Sequence, residues 1–516
     1  MRLAAGKIHF DRFRSGHSSR LGGILDLHVA IGDRGDRADR IYRQLRDAVV
    51  DGRLRRGERL PATRELAERL QVSRSTVSTA YERLTAEGYL AARVGAGTFV
   101  AYTGAPPRGR GGAERRPAAV DTRRGAAHPN ATWADLDDPL WTEPRPIAYD
   151  FSVGAPDPAL FPLETWRHYV TAELRGGFAR STLYADPAGV DRLREGIARH
   201  LGLARSVDAA PDDVLVTNGA QQAFDLLARV LLTPGDTVLV EDPGYPPVRQ
   251  LFETTGARVL PVPVDEFGLR VDLLPPARLL YVTPSHQFPL GGVLPLERRV
   301  ALLEWAARND AVVIEDDYDS EYRFGARPLD PLQRLDADGR VVYVGTFSKT
   351  MAPSLRLGFV VAPPSLLPAL RHAKRLSDWH NDVVTQRAMA RFIDSGGFAR
   401  HVRSATRVYE QRHDALVRAA GELLPDFRLV PSVAGLHLAL LADGADGDID
   451  GRRVAERAAV AGVAVQPVSR FRLVDGPDGL LLGFGGIPVE QIPDGLRTLA
   501  QAVERVRASA PSEAMP

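Results

Sequence analysis

The chain has 516 residues, a formal net charge of +1 and no cysteine. That length implies two domains, and a near-neutral balance excludes wholesale coating of nucleic acid. The lack of cysteine excludes disulfides and thiol chemistry, no run of about 18 apolar residues offers a membrane span, and the charged start (Arg2, Lys7, Asp11, Arg12) has no signal-type apolar core, so a cytoplasmic protein is expected.

Residues 1–38 form an N-terminal extension with no readable pattern. From 39 to 103 the pattern sharpens. Ile41, Leu45, Ala48, Val49 and Leu54 mark one apolar helix face. After Arg59-Leu60-Pro61, the stretch Thr63–Leu70 predicts a second helix and Gln71-Val72 a turn. Ser73 is the expected N-cap of a third helix over Arg74–Leu84, which Gly88 stops. Tyr89–Val94 and Thr98–Ala101 read as two strands joined by Gly95-Ala96-Gly97. The order is helix, helix-turn-helix, β-wing. Residues 41–103 hold 11 arginines against 7 acids, and a basic module on a nearly neutral chain suits DNA. The third helix opens on Arg-Ser-Thr, long and hydroxylated side chains at the end of a recognition helix that meets base edges and phosphates. R-L-P-x-T-R-E-L-A, V-S-R-S-T-V and G-A-G-T-F-V together closely resemble the GntR-type winged helix. That resemblance implies that Arg64, Arg74, Ser75 and Thr76 contact double-stranded operator DNA, and that Gly97 lets the wing tip approach the minor groove.

Residues 104–149 read as a linker and docking arm. Pro, Gly and Arg dominate up to about Asn130 without periodicity, which predicts an extended or disordered spacer. Its roughly 27 residues span roughly 28 Å r.m.s., enough for the head to pack on a partner's body. Thr132–Tyr149, with Trp133 and Trp141, reads as an irregular arm on the body.

The body, residues 150–508, carries chemistry at strand ends. Val214–Asn218 predicts a strand that enters Gly219-Ala220-Gln221-Gln222-Ala223 and a helix. A glycine turn at a helix N-terminus presents free N–H groups and a positive dipole end to a phosphate. Glu241-Asp242-Pro243-Gly244-Tyr245 places an aromatic after another apolar strand. Val312-Val313-Ile314 runs into Glu315-Asp316-Asp317-Tyr318, and Arg340–Val344 runs into Gly345-Thr346-Phe347-Ser348-Lys349. Only three lysines occur (Lys7, Lys349, Lys374). Arginine cannot shed its proton and serve as an amine nucleophile, whereas a desolvated lysine can. Small hydroxyl residues followed by Lys349 suit a Schiff base with an aldehyde cofactor that carries a phosphate. Asp316 lies one strand–connection–strand unit earlier, where it can pair with a protonated pyridine nitrogen, and Tyr318 can donate to a phenolate oxygen. Arg356 adds a charge-assisted phosphate clamp.

The ordered set Y-A-D-P-A-G, N-G-A-Q-Q-A, D-P-G-Y, E-D-D-Y-D-S-E and G-T-F-S-K…L-R-L-G resembles the fold-type I pyridoxal-phosphate aminotransferases. The fold class implied is α/β: a mostly parallel sheet sandwiched by helices, with a smaller C-terminal α/β subdomain, behind an N-terminal winged helix-turn-helix. By resemblance the cofactor is pyridoxal 5'-phosphate, Lys349 forms the internal aldimine, Asp316 pairs with the ring nitrogen, Tyr318 sits at the phenolate oxygen and Tyr245 stacks on the ring. Ala220, Gln221, Thr346, Ser348 and Arg356 would hold the phosphate, and Tyr184 would reach the neighbouring subunit's site in a homodimer. No metal is expected. The enzymes usually carry Asn-Pro-x-Gly, whose Asn bonds the phenolate; here the turn is Phe288-Pro289-Leu290-Gly291, and Phe288 cannot donate. His286 in the same loop is expected to be structural rather than a base.

A GntR head on such a body resembles the MocR subfamily of bacterial transcription regulators, which shows the same F-P-x-G turn. The resemblance implies a regulator rather than an enzyme. It would sense pyridoxal phosphate or an amino-acid or amine effector, and would control vitamin B6 or amino-acid and amine metabolism genes. A head-to-tail, domain-swapped dimer would suit the linker. The alternative is an active aminotransferase with an accessory DNA-binding head. The final strand Leu480–Phe484 has no arginine for an effector carboxylate, and Arg470 in Val465–Phe471 matches the carboxylate-binding arginine of such regulators by its place in the chain.

Overall fold

A computed structural model describes residues 37–102, 128–134, 136, 147–176, 183–324, 330–442 and 449–508. The expectations for the first 36 residues, for most of the linker and for the last eight residues lie outside these. The chain forms two compact units that divide between Ala127 and His128.

In the first unit, α1 (Arg37–Val50), α2 (Thr63–Leu70) and α3 (Arg74–Ala86) precede an antiparallel pair, β1 (Leu90–Arg93) and β2 (Gly97–Val100). The helix begins two residues ahead of the predicted boundary at 39. The i, i+4 spacing of Ile41 and Leu45 puts both in the core, where Leu66, Val77 and Leu84 meet them. Gln71 ends α2 in a left-handed conformation (φ 51), and the Ser73 hydroxyl accepts from the Thr76 N–H at 3.2 Å, capping α3. The Leu60 N–H donates to the Thr98 carbonyl at 2.9 Å. The segment before α2 is thereby fixed to the wing.

In the second unit, β3 (Tyr149–Asp150) is followed by β4 (Val214–Thr217), β5 (Thr237–Asp242), β6 (Arg258–Asp265), β7 (Gly268–Leu269), β8 (Leu279–Val282), β9 (Val312–Asp317), β10 (Val341–Thr346) and β11 (Gly358–Val361). Strands β4 to β11 form one sheet in the order β4-β11-β10-β9-β8-β5-β6-β7. Neighbours from β10 through β6 run parallel, while β11 and β7 run antiparallel to their neighbours. The central strands are near-continuous apolar runs because both faces are covered. β12 (Arg428–Leu429), β13 (His437–Leu441), β14 (Val463–Ala464), β15 (Gln466–Pro467) and β16 (Gly479–Gly483) follow. β12, β13, β16 and β15 make a four-stranded sheet, and the long helices Gly397–Leu423 and Ile492–Ala508 pack in its core through Tyr409, Leu416, Leu496 and Leu499. β14 pairs with β3, tying the start of the body to this subdomain. Among the described residues no helix is long and apolar enough to cross a membrane.

Two features of the large sheet position the site. Val344 on β10 pairs in register with Asp316 on β9, so the residues after both strands leave at the same C-terminal edge, where open α/β sheets bind ligands. Gly358 on β11 abuts the turn that opens the helix Gly219–Leu231; a Cβ there would sit 2.7 Å from the Gly219 carbonyl carbon. Gly358→Ala should therefore push that turn away. We expect it to destabilise the body by about 1–3 kcal/mol, the usual range for overpacking, and to weaken binding of phosphate-bearing ligands. Denaturant unfolding and ligand titration check both parts.

Candidate functional site

Desolvation of two charges dominates the cleft at the ends of β9 and β10. Asp316 is buried, and its Oδ2 accepts from the Tyr281 hydroxyl at 2.6 Å. Its Oδ1 has no hydrogen-bond partner among the described residues. Burial pushes its carboxyl up to about 7, so the group is poised for a cationic partner. Lys349 donates from Nζ to the Gly154 carbonyl at 2.5 Å. Desolvation lowers its pKa, opposed by the Asp319 and Asp316 carboxylates; an amine so held is more readily unprotonated and nucleophilic. Tyr245 and Tyr318 line the same cleft. Phe288 also lines it, with its ring edge-on to Tyr245 at 5.6 Å.

The other end of the cleft is built for an anion. Gly219 opens its helix with φ +74, and a Cβ there would stand 3.1 Å from Arg356 Nη2. The Arg356 guanidinium donates to the Asn218 carbonyl at 2.8 Å. Ala220 and Gln221 in the first helical turn, with Thr346 and Ser348 after β10, complete this wall. The Thr346 hydroxyl donates to Ser348 Oγ at 3.0 Å and accepts from the Ser348 N–H at 3.1 Å. Helix N–H groups, hydroxyls and a guanidinium converge as phosphate binding requires. The residues present fit pyridoxal 5'-phosphate: an orphaned buried carboxylate oxygen at one end, a cradle that only glycine allows at the other, and a desolvated amine between them.

Nine residues expected from sequence thus face one cleft: Ala220, Gln221, Tyr245, Asp316 and Tyr318, then Thr346, Ser348, Lys349 and Arg356. Two others do not. Tyr184 is 80% exposed and its ring lies 4.8 Å from Trp379, away from the cleft of its own chain. Arg470 is half-buried in the short helix Val468–Phe471 and does not line the cleft; its neighbour Phe471 packs edge-on against Phe288 at 5.3 Å. Sequence reasoning passed over Tyr281, Asp319 and His437. Tyr281 is the one polar side chain in the run Leu279–Val282, which was a usable signal; His437 at the start of β13 carried none.

On the first unit, Arg64 and Arg74 are exposed. Arg64 reaches Glu68 at 3.4 Å, a solvent-facing pair that costs little to break. Ser75 Oγ and Thr76 Oγ1 lie 2.8 and 2.7 Å from Ser73 Oγ, so both hydroxyls share the cap of α3. Gly97 adopts φ +108 in the wing, and a Cβ there would come within 2.9 Å of Arg59 Nε.

Comparison with known proteins gives two family matches. Residues 37–100 match the bacterial regulatory proteins of the gntR family, and residues 149–482 match aminotransferase class I and II. The probable rhizopine catabolism regulatory protein MocR of Rhizobium meliloti is 38% identical over 472 residues, covering 90% of this chain and 92% of that one. The pyridoxine biosynthesis transcriptional regulator PdxR of Corynebacterium glutamicum is 33% identical, covering 93% of this chain and 99% of its own. The kynurenine aminotransferase of Pyrococcus horikoshii, solved in complex with PMP, superposes with a TM-score of 0.65 at 30% identity over 70% of this chain and 91% of that one. The aminotransferase class I and II fold is pyridoxal-phosphate-dependent, and the winged helix implies binding to operator DNA. The chain belongs to the MocR-type GntR transcription regulators, with a gntR-family DNA-binding head and an aminotransferase-like body.

Proposed function

We propose that the body senses ligand state through a pyridoxal 5'-phosphate bound at Lys349 and passes it to the DNA-binding head. The observation that carries this reading is the unpartnered Asp316 Oδ1, buried in the same cleft as the Lys349 amine. A protonated pyridine nitrogen supplies the missing partner. When bound, the cofactor supplies an aldehyde that reacts with amines. The chain's own residues do the rest. Asp316 holds the ring nitrogen in its charged state, Tyr318 donates toward the phenolate oxygen and Tyr245 covers one face of the ring. Ala220, Gln221, Thr346, Ser348 and Arg356 fix the phosphate.

The effector in this reading is pyridoxal phosphate itself or an amino acid or amine that competes with Lys349 for the aldehyde. The relatives support either class: one is a pyridoxine biosynthesis transcriptional regulator and another a probable rhizopine catabolism regulatory protein. A carboxylate-bearing effector would be clamped by Arg470, which requires the Val468–Phe471 helix to turn toward the cleft past Phe288. Exposed Tyr184 favours a homodimer in which it serves the partner's cleft. Acting in the cytoplasm, the dimer would present two heads, with Arg64, Arg74, Ser75, Thr76 and Gly97 at the DNA. The targets would be genes of vitamin B6 or of amino-acid and amine metabolism.

Lys349→Ala is expected to abolish borohydride-fixable cofactor while leaving operator binding of the unliganded protein intact; mass spectrometry of the reduced protein reads this directly. Asp316→Asn should retain the covalent link but lose cofactor faster on dialysis, because the ring nitrogen loses its charged partner. Arg74→Ala should weaken operator binding by about 1–3 kcal/mol, the cost of a lost base contact, with cofactor absorbance unchanged. The parent's operator affinity should also fall steeply as salt rises.

A further inference from the structure

Beside the cleft lies a chain of buried polar groups that the reading above does not use. His286, Asp319 and Ser432 are all buried, and of the group Tyr318 and Asp319 line the cleft while His286 and Ser432 lie behind it. His286 Nδ1 is 2.9 Å from the Tyr318 hydroxyl and 3.0 and 3.1 Å from the two Asp319 oxygens. Its Nε2 is 3.0 Å from Ser432 Oγ. Ser432 Oγ also lies 3.0 Å from the Ala434 carbonyl, so its hydrogen has an acceptor in either tautomer of the ring.

Nδ1 then decides the state of three groups. With a hydrogen on Nδ1, the ring donates to the Asp319 carboxylate, and the Tyr318 hydrogen is free to point into the cleft. With Nδ1 bare, it takes the Tyr318 hydrogen, and the Asp319 oxygens face its lone pair at 3.0 and 3.1 Å. A carboxylate only accepts, so its two oxygens beside Nδ1 select the Nδ1–H form. Other charged and titratable groups around this pair are His437 on β13, whose ring centroid is 5.0 Å from that of His286, the Arg323 guanidinium bonded to the Ser285 carbonyl, and the Lys349 amine. Burial holds His437 down to about 3, so it stays neutral. The space is made for the pair: a Cβ on Gly435 would overlap the His286 ring and the Asp319 carboxylate. His286, Asp319 and His437 also stand at metal-ligand spacing. Both His286 nitrogens already have protein partners, however, and His437 Nε2 donates to the Pro289 carbonyl.

We propose that His286 and Asp319 are positioning residues that aim the Tyr318 hydroxyl hydrogen into the cleft, at the cofactor's phenolate oxygen, in place of the amide that Phe288 cannot supply. This rests on the reading of the cleft as a pyridoxal-phosphate site. The consequence is measurable without turnover. A donor on the phenolate oxygen stabilises its negative charge, and so lowers the pH at which the Lys349-linked cofactor loses its proton. Removing the donor raises that pH.

The experiment is a pH titration of the visible absorption band of the full-length, cofactor-loaded protein, in the parent and in Tyr318→Phe, His286→Gln, Asp319→Asn and the Tyr318→Phe/His286→Gln double variant. Tyr318→Phe should raise the midpoint by about one pH unit, the scale of one hydrogen bond to a charged oxygen. Asp319→Asn is the discriminating variant. Acting only as a nearby negative charge, Asp319 would lower the midpoint when neutralised. Acting through His286 and Tyr318, it raises the midpoint on neutralisation. The His286→Gln shift should vanish in the Tyr318→Phe background, since both remove the same donor. The inference is overturned if Asp319→Asn lowers or leaves the midpoint, if the His286→Gln shift persists in the double variant, or if Tyr318→Phe changes nothing. In each of those cases the cofactor reading survives. If the parent shows no reducible visible band, the cofactor reading itself fails. Circular dichroism checks folding of each variant, and the near-isosteric Asp319→Asn decides alone should His286→Gln not fold.

Discussion

The cleft depends on holding an amine and a carboxylate in a largely desolvated space at the ends of two adjacent parallel strands. Burying either charge alone is costly. Register between β9 and β10 brings both to one edge, and the surrounding groups spread the cost. Tyr281 bonds one Asp316 oxygen, the Gly154 carbonyl takes the Lys349 amine, and Asp319 with Asp316 opposes the desolvation of Lys349. What remains unsatisfied is Asp316 Oδ1. A buried carboxylate oxygen with no donor is unusual in a folded protein, and here it marks where a ligand belongs.

Much of the fold could be read from sequence because its signals are local. Ser73 predicted the start of α3 through its hydroxyl, and Gly95-Ala96-Gly97 predicted the wing turn through positive φ at both glycines. The apolar runs of the body read as strands because parallel strands are covered on both faces. Strand order was not legible: β11 inserts between β4 and β10, and no local pattern encodes that. In the cleft, residues just after apolar strands were easy to find because strand ends are where side chains leave the sheet together. Tyr281 and His437 were missed because they reach the cleft from within strands, through pairings set by long-range register. The scarcity of lysine was a good guide to Lys349 but an incomplete one. Lys374 is fully buried, where Lys349 is partly so, and its amine pairs with Asp378 at 2.7 Å and bonds Gln222 in the helix behind the phosphate wall.

The aromatic shell distinguishes this cleft from a plain cofactor slot. Phe288 stands edge-on to Tyr245, Tyr318 and Phe471 together. It joins the cleft wall to the short helix that carries Arg470. The Phe471 carbonyl in turn accepts from the Gly244 N–H at 3.0 Å, next to Tyr245. Packed aromatics of this kind shift between discrete arrangements rather than deform smoothly.

Regulation through the cleft requires that its occupancy alter the behaviour of the head, since a ligand shifts an equilibrium only through differential affinity for its states. The most direct measurement is the operator affinity of the full-length protein, stripped of cofactor and then reloaded with pyridoxal 5'-phosphate, at fixed salt and beside Lys349→Ala treated identically. A coupling in the usual allosteric range changes the parent's affinity by about 5-fold or more, in either direction, and leaves the variant's affinity unchanged. Equal operator affinity of the stripped and reloaded parent would contradict it.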